Sequence, residues 1–280
     1  MAFLRHRKKK MFLLFAGLIF SLSVFARKKE TSAEFGIFLG CSYYLGDLNA
    51  TGHFNRLTKP AGGLIYRYNF NPRVSLRGAV SIGTVEGNDA VSRSPAQQQR
   101  NLSFKSNIAE LALIGEFNFL EYAIGYKKSY FTPFIFLGTG AFRFNPNAEI
   151  GGDRVALQPL GTEGQGTTFQ PGRKRYSLVQ FAMPFGAGIK MRISQKIGIT
   201  VEWGIRLTST DYLDDVSKDY VNPVLLAAEK GTTAALLSDR SLVPDPGGNI
   251  GRQRGNSATR DWYSFAGITL CFKLRGKEEK

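Results

Sequence analysis

The chain has 280 residues, of which 43% are hydrophobic and 12% aromatic, with 31 glycines, two cysteines and a formal net charge of +15. This length suits one sizeable domain or two small ones, and the enrichment in glycine and aromatic residues favours β structure. Beyond the N-terminal segment the sequence has no run of about 18 consecutive apolar residues, which excludes a membrane-spanning helix there.

The first 26 residues have the composition of an export signal. A basic stretch at 5–10 precedes an apolar core at 11–24, and Ala26 is small enough for a cleavage site. We therefore predict a signal peptide over 1–26 and a mature domain over 27–280. Because the protein is exported, its basic charge does not indicate nucleic acid as a partner. We expect its Lys and Arg side chains to face outer-membrane lipids and the phosphates of lipopolysaccharide.

Apolar and polar side chains alternate along most of the mature chain with the period of a β-strand. In 197–207 (IGITVEWGIRL), every odd position is apolar and every even position is small, polar or charged. Strands are predicted over 33–45, 62–70, 74–85, 107–119, 131–144, 177–191, 197–207 and 262–274. About eight segments of about 10 residues each have the length of strands that cross a bilayer at a tilt.

Long and short connections alternate between these strands. The long ones are predicted at about 46–60, 88–103, 145–176 and 208–261, and the short ones at 71–73, 120–130 and 192–196. Outer-membrane barrels combine short periplasmic turns with long extracellular loops, whereas a soluble β-sandwich has no reason to follow that parity. We therefore predict an all-β fold, a membrane-embedded antiparallel up-and-down barrel in the outer membrane, with the oily face of each strand against lipid.

The phase of the alternation assigns side chains to a face. Cys41 belongs to the apolar face of its strand and Cys271 to the polar face of the last strand, which argues against a disulfide. Aromatic residues near strand ends are expected to form girdles at the two membrane interfaces. These are Tyr43, Tyr44, Phe70, Phe119, Phe142, Phe144, Trp262 and Tyr263.

The polar face carries charges of both signs. They are Glu34, Arg67, Arg77, Glu110, Glu116, Lys190, Glu202 and Arg206. If 71–73 forms a three-residue turn, Arg67 and Arg77 lie opposite each other and need carboxylates beside them. A barrel of about eight strands encloses little more than its own side chains, so we predict an ion network that seals the lumen, in preference to a selective pore.

Catalytic and metal-binding hypotheses have weaker support. His53, the one histidine of the predicted mature chain, lies in a long loop, and no local arrangement marks a catalytic triad. The segment 210–220 concentrates aspartates but lacks the glycine turn and ligand spacing of a calcium loop. We interpret it as a solvated acidic rim, paired with Arg252, Arg254 or Arg260. The sequence predicts no enzyme, no cofactor and no metal.

Several stretches resemble the PorG-type barrels of the type IX secretion system. They are EFGIFLGCSYYLGDLNATGHF (34–54), KPAGGLIYRYNFNPRVSLRGAVSIGTVEGND (59–89), LQPLGTEGQG (157–166), DYLDDVS (211–217) and RDWYSFAGITLCFKL (260–274). The resemblance implies an outer-membrane accessory of that secretion and gliding machinery. It implies association with a periplasmic ring made of a lipoprotein and a partner subunit, and neither catalytic residues nor a cofactor.

If the ring contacts this barrel from the periplasm, the short connections and the C-terminal tail are the contact surfaces. The predicted contact residues are Lys127, Lys128, Arg192 and Arg275. The competing hypothesis is a stand-alone structural or lipopolysaccharide-binding barrel. A barrel enzyme that modifies lipid A, with His53 near the outer rim, is a third and weaker one.

Overall fold

The computed structural model describes residues 31–49, 52–126, 128–243 and 248–274. The predicted signal peptide at 1–26 and two predicted contact residues, Lys127 and Arg275, lie outside the described residues. Within the described ranges, no helix is both long enough and apolar enough to cross a membrane.

Eight of the strands in the described ranges close into one antiparallel barrel, as the sequence predicts. The barrel strands are β1 (Ser32–Leu45), β2 (Lys59–Asn69), β3 (Val74–Asn88), β4 (Ser103–Asn118), β5 (Phe131–Arg143), β8 (Val179–Arg192), β9 (Ile197–Thr208) and β10 (Trp262–Leu274). Each strand pairs with its neighbour in the chain, and β1 pairs with β10 along its whole length to close the sheet.

Additional elements lie inside three of the long predicted loops. A hairpin of β6 (Pro146–Ile150) and β7 (Asp153–Ala156) extends β4 beyond the end of β5. The helices are α1 (Pro95–Arg100), α2 (Pro223–Lys230) and α3 (Thr232–Ser238). Helix α2 begins where the side chain of Asn222 accepts hydrogen bonds from the amides of Val224 and Leu225, with a proline at its first position.

The barrel is inverted relative to a soluble protein. Leu39, Leu111 and Phe181 point outward and are 65–69% exposed, whereas the alternate positions point into the barrel. The wall between the two barrel ends is therefore an apolar belt, and the charges lie inside. We call the end that carries connections 70–73, 119–130 and 193–196 the short-loop end, and the opposite one the long-loop end.

The predicted aromatic girdle is wrong for four of its residues at the long-loop end. Tyr44, Phe142, Phe144 and Tyr263 are at most 1% exposed and pack inside the barrel mouth. The physical reason is that a position near a strand end does not determine whether a side chain faces lipid or the lumen. These residues have the inward phase of the alternation. At the short-loop end, Phe70 and Phe119 are exposed on the wall, as expected of a girdle.

The two cysteines are free, which agrees with the prediction from their opposite faces. Cys271 is buried inside the barrel, and Cys41 lies on the outward phase of β1. The seam between β1 and β10, the strands that carry these cysteines, depends on close backbone contact and not on a disulfide. Gly40 lies opposite Gly267, and a Cβ at Gly40 would approach the Ala266 carbonyl oxygen to 2.1 Å.

We predict that Gly40→Val blocks closure of β1 on β10, because the added side chain collides with the backbone of the partner strand. The measurement is the fraction of protein that migrates as a compact, heat-modifiable band after refolding in detergent. Gly78→Val is the matched control, because a Cβ there comes no closer than 4.0 Å to Tyr66. Equal folding of the two variants would contradict the prediction.

Candidate functional site

Glu116 is the centre of the lumen network. Arg67 and Arg77 lie opposite each other across the β2–β3 hairpin, and each is 1% exposed. Glu116 lies between them, with its two carboxylate oxygens 2.8 Å from Arg67 Nε and 3.0 Å from Arg77 Nε. Lys190 Nζ approaches the same carboxylate to 2.6 Å. One carboxylate therefore contacts three buried cations.

The other lumen carboxylates complete the pairing. Glu34 accepts from Arg67 Nη1 at 2.6 Å, and Glu202 forms an ion pair with Arg77. Nearer the long-loop end, Glu110 contacts Arg206 Nε at 3.3 Å and accepts a hydrogen bond from the Tyr263 hydroxyl at 2.6 Å. The structure thus brings together all eight predicted lumen charges. They comprise four glutamates and four basic residues, so their formal charges cancel.

Aromatic rings fill the lumen beside the charges. Lys190 Nζ lies 4.6 Å from the Phe134 ring centroid, and the Arg77 guanidinium lies 5.2 Å from that of Phe136. Glycines of the neighbouring strands make room for the rings, since a Cβ at Gly204 would lie 2.5 Å from Phe136. The sequence pattern left this strand ambiguous, because β5 is apolar on both faces.

The connection between β4 and β5 closes the short-loop end. Tyr122 and Ile124 are 3% and 1% exposed, and Ile124 packs in a cluster with Ile65 and Phe134 inside the barrel. The Tyr122 amide donates to the Pro72 carbonyl at 2.9 Å, which ties this segment to the neighbouring turn. The sequence predicts a short surface connection here, and the structure corrects it to an inward plug.

A folded cap covers the long-loop end, built from 157–176 and 210–254 as far as these are described. The carboxylate of Glu163 accepts hydrogen bonds from the amides of Ser217 and Lys218 and from Arg254 Nη1 at 3.1 Å. Arg254 also donates to the carbonyl of Asp215 at 2.6 Å. Glu163 is completely buried, so the glycine-rich segment around it is a structural part of the cap.

The acidic segment is not a solvated rim, which corrects the sequence interpretation. Asp214 and Asp215 are at most 1% exposed, and Arg254, one of the three proposed partners, lies 3.9 Å from Asp215. Arg173 pairs with Asp219 at 2.8 Å. The alternation pattern gave no signal for this burial, because the segment has no strand period. No cluster of metal-ligating side chains occurs among the described residues.

Two cap carboxylates share one tyrosine. The Tyr44 hydroxyl lies 2.5 Å from Asp214 Oδ2 and 3.0 Å from Asp261 Oδ1, and it has a single proton to donate. Burial raises the pKa of Asp214 and that of Asp261 well above the usual range. Repulsion from Asp47 adds to the rise for Asp214, and repulsion from Asp214 adds to the rise for Asp261. Burial also raises the pKa of Asp211 to about 7 and that of Asp215 to about 6.

His53 lies outside the barrel wall, in contact with aromatic residues. Its Nδ1 is 3.0 Å from the Tyr43 hydroxyl, which also accepts a hydrogen bond from Trp203 Nε1 at 2.7 Å. His53 and Phe54 cover Tyr43, which has the outward phase yet is 1% exposed. Within the described ranges, no serine or carboxylate is hydrogen-bonded to His53, so the structure does not assemble a triad around it.

Two predicted contact residues are described at the short-loop end. Lys128 is 69% exposed and pairs with Glu121 at 2.8 Å. Arg192 lies 4.5 Å from the ring centroid of Tyr130 and donates to the Tyr126 carbonyl. Lys128 is thus available to a partner, whereas Arg192 is partly occupied in holding the connection.

We predict that Glu116→Gln lowers the free energy of unfolding by about 3–5 kcal/mol, because it leaves three buried cations with one carboxylate fewer. Urea unfolding in detergent, followed by tryptophan fluorescence, measures the change. Adding Lys190→Met recovers part of the loss by restoring equal charge. Glu121→Gln, in an exposed pair, is the control and changes stability little. A full-sized effect in the control would contradict the prediction.

We also predict that the cap loosens as the pH rises through about 7. Asp211 and Asp215 have raised pKa values in the folded cap, so the folded state binds more protons above the usual aspartate range. Stability is therefore present at low pH and lost as these carboxylates ionise. The rate of hydrogen–deuterium exchange of 210–221, corrected for intrinsic rates, should be higher above a pH of about 7 than below it.

Asp211→Asn should reduce that pH dependence. It removes the carboxylate with the higher of the two raised pKa values, about 7 against about 6 for Asp215. Asp219→Asn, which breaks the pair with Arg173, is the matched control and should leave the pH dependence in place. Identical exchange at both pH values in the unaltered protein would contradict the prediction.

The comparisons with solved structures return small bacterial surface proteins. Neisserial surface protein A has 7% identity over 87% of this chain and 99% of its own, with a TM-score of 0.42. Ail of Yersinia pestis, in complex with the heparin analogue sucrose octasulfate, has 11% identity over 88% and 99%, with a TM-score of 0.40. OprG of Pseudomonas aeruginosa has 10% identity over 87% and 98%, with a TM-score of 0.37.

Among curated proteins, none matches the chain significantly. The match to a family model is more direct, and it covers the signal-like core, the first four barrel strands, β5 and the β6–β7 hairpin. The model is described as Domain of unknown function (DUF6089), and it matches residues 9–156, more than half of the chain, so the chain belongs to this family.

Proposed function

We propose that this protein is a non-enzymatic outer-membrane barrel of the type IX secretion system, and that it anchors the periplasmic ring complex at the outer membrane. The observation that carries the proposal is the inverted barrel, closed at both ends by its own connections. The stretches that resemble PorG-type barrels supply the link to that secretion machinery. The proposal combines the closed, inverted barrel with this resemblance.

The exterior supports membrane insertion. The barrel strands are 11–16 residues long, which is at least the about 9–11 residues that a tilted strand needs to cross the hydrocarbon core. Exposed apolar residues such as Leu39, Leu111 and Phe181 would be unfavourable in water over so large a belt. In lipid the same belt is the favourable surface, and the closed sheet leaves no unpaired edge.

The interior supports a structural role in preference to conduction. The eight lumen charges are at most 8% exposed and neutralise one another, and aromatic rings fill the space between them. The plug with Tyr122 and the cap around Glu163 cover the two mouths. A passage for cargo would require rearrangement of all three. We therefore assign the barrel a role as an anchor, with its contact surfaces at the ends.

The short-loop end has the character of a contact surface. It displays the basic side chains of Arg73, Lys128 and Lys196, all exposed. Beside them Tyr130 and Ile193 are 69% and 62% exposed. Aromatic and aliphatic anchors among basic residues favour an acidic protein surface as the partner. We propose that the ring lipoprotein or its partner subunit binds here.

The alternative is a stand-alone structural or lipopolysaccharide-binding barrel. The basic, exposed residues of the long-loop end are compatible with it. The third hypothesis, modification of lipid A, has less support because the hydrogen-bond partner of His53 is Tyr43 and not a catalytic serine or carboxylate. We expect His53→Ala to leave the lipid A of the cell unchanged.

We predict that the tagged protein co-purifies with periplasmic ring subunits from detergent-solubilised outer membranes, as identified by mass spectrometry. The variant Lys128→Glu with Lys196→Glu should reduce this recovery about tenfold, because it opposes the charge of an acidic partner. Both residues are exposed, so the barrel itself should still fold.

The matched control is Lys174→Glu with Lys218→Glu, two exposed positions of the cap. It should leave ring recovery unchanged. Deletion of the gene should abolish secretion of type IX cargo while the outer membrane stays intact. A leaky cell that still secretes its cargo would favour the stand-alone structural role and overturn the proposal.

A further inference from the structure

The outer wall has a depression just below the long-loop rim, and it interrupts the apolar belt. It has a volume of about 640 Å³ and spans the rim ends of β2, β3, β4 and β5. Small residues, Gly62 and Ala109, leave space on the outward face, and Ile82 borders it on the apolar side. Polar residues that also line it are Thr84, Asn107, Arg143 and Asn145.

The depression lies at a break in the sheet. Strand β4 pairs with β5 as far as Ala109, opposite Arg143, and resumes pairing with β6 at Ser106, opposite Pro146. Between these points the ladder is interrupted at 107–108 and 144–145. The opening in the wall is thus built into the strand order, because β4 changes partner there.

The polar groups of the depression have unused hydrogen-bonding capacity. The Arg143 side chain is exposed and makes no hydrogen bond or ion pair with any described residue. The Asn107 side-chain oxygen accepts from Thr84 Oγ1 at 3.0 Å, which leaves the amide hydrogens of Asn107 free to donate outward. The Asn145 side-chain oxygen has no partner among the described residues, but it is buried and does not face the depression. The site therefore offers donors for an anion.

The surrounding charge is basic. Glu86, on the outward face of β3 beside the depression, forms an ion pair with Lys59 at 2.9 Å. Lys105 lies opposite Glu86 in the β3–β4 register, next to the depression. Together with Arg143 these groups leave an excess of positive charge. An exposed guanidinium at the top of a lipid-facing wall lies at the level of membrane headgroups.

We propose that this wall depression binds the phosphorylated sugar headgroup of an outer-leaflet glycolipid of the lipid A class. Arg143 and the Asn107 amide donate to a phosphate. The apolar side, with Ile82, contacts an acyl chain. The inference rests on the outer-membrane location in the proposed function and is independent of the contact with the secretion ring.

The test uses the full-length protein in detergent and native mass spectrometry with added bis-phosphorylated lipid A. We expect one tightly bound lipid A, and a loss of affinity of about tenfold or more in Arg143→Ala with Asn107→Ala, which removes charge-assisted hydrogen bonds. Arg260→Ala is the matched control. Arg260 is an exposed rim residue beside β10, on the opposite side of the barrel, and its removal should change nothing.

Two further probes separate the sources of the phosphate. Dephosphorylated lipid A should bind the unaltered protein as weakly as lipid A binds the double variant. Inorganic phosphate at equal concentration should not displace lipid A, and displacement would overturn the lipid assignment in favour of a free-anion site. Unchanged lipid A binding in the double variant, or an equal loss in Arg260→Ala, would also overturn the proposal.

The failure of this inference is distinguishable from failure of the proposed function. Heat-modifiable migration verifies that each variant is folded, and membrane fractionation verifies its location. A double variant that is folded, membrane-embedded and unchanged in lipid A binding refutes the depression as a lipid site and leaves the secretion role untouched. Loss of ring co-purification with intact lipid A binding would count against the secretion role and leave the depression standing as a lipid site.

Discussion

Glu116 contacts three cations in a space that its own strands have closed to water. Burying a charge is strongly unfavourable unless opposite charges and hydrogen bonds compensate for it, so the lumen tolerates its basic residues only as a complete set. Arg67 and Arg77 face each other because the β2–β3 turn fixes their register, and the same turn therefore creates the need for Glu116. The strand register places the two arginines, and charge balance then requires the carboxylate between them. The sealed interior follows from both.

Both mouths of the barrel depend on chain segments outside the strand pattern. At the short-loop end, Tyr122 and Ile124 turn inward and bury apolar surface against the lumen rings. At the long-loop end, Glu163 ties two separate loops together through backbone amides and Arg254. The loops at that end form a small folded cap on the barrel, and the raised pKa values of its carboxylates predict a stability that depends on pH.

The outer wall combines three kinds of surface. Most of it is an apolar belt suited to lipid. One sector, around β1, β10 and β9, is covered by the loop that carries His53 and Phe54, which removes Tyr43 from contact with the surroundings. On the other side, the break in the β4 ladder opens a depression lined by polar groups with free donors. These two sectors lie on opposite sides of the barrel and give the cylinder distinct faces within the plane of a membrane.

Period-two alternation by itself determined the number of barrel strands, the direction in which Glu34 and Glu116 point, and the opposite faces of Cys41 and Cys271. Each of these follows from local backbone geometry, which reverses the side chain at every residue of a strand. Only the tertiary structure decided which carboxylate meets which cation, that Phe134 and Phe136 face inward, and that Asp214 and Asp215 are buried. Those outcomes depend on neighbours that are distant in the chain, and the loops lack a period from which to infer a face.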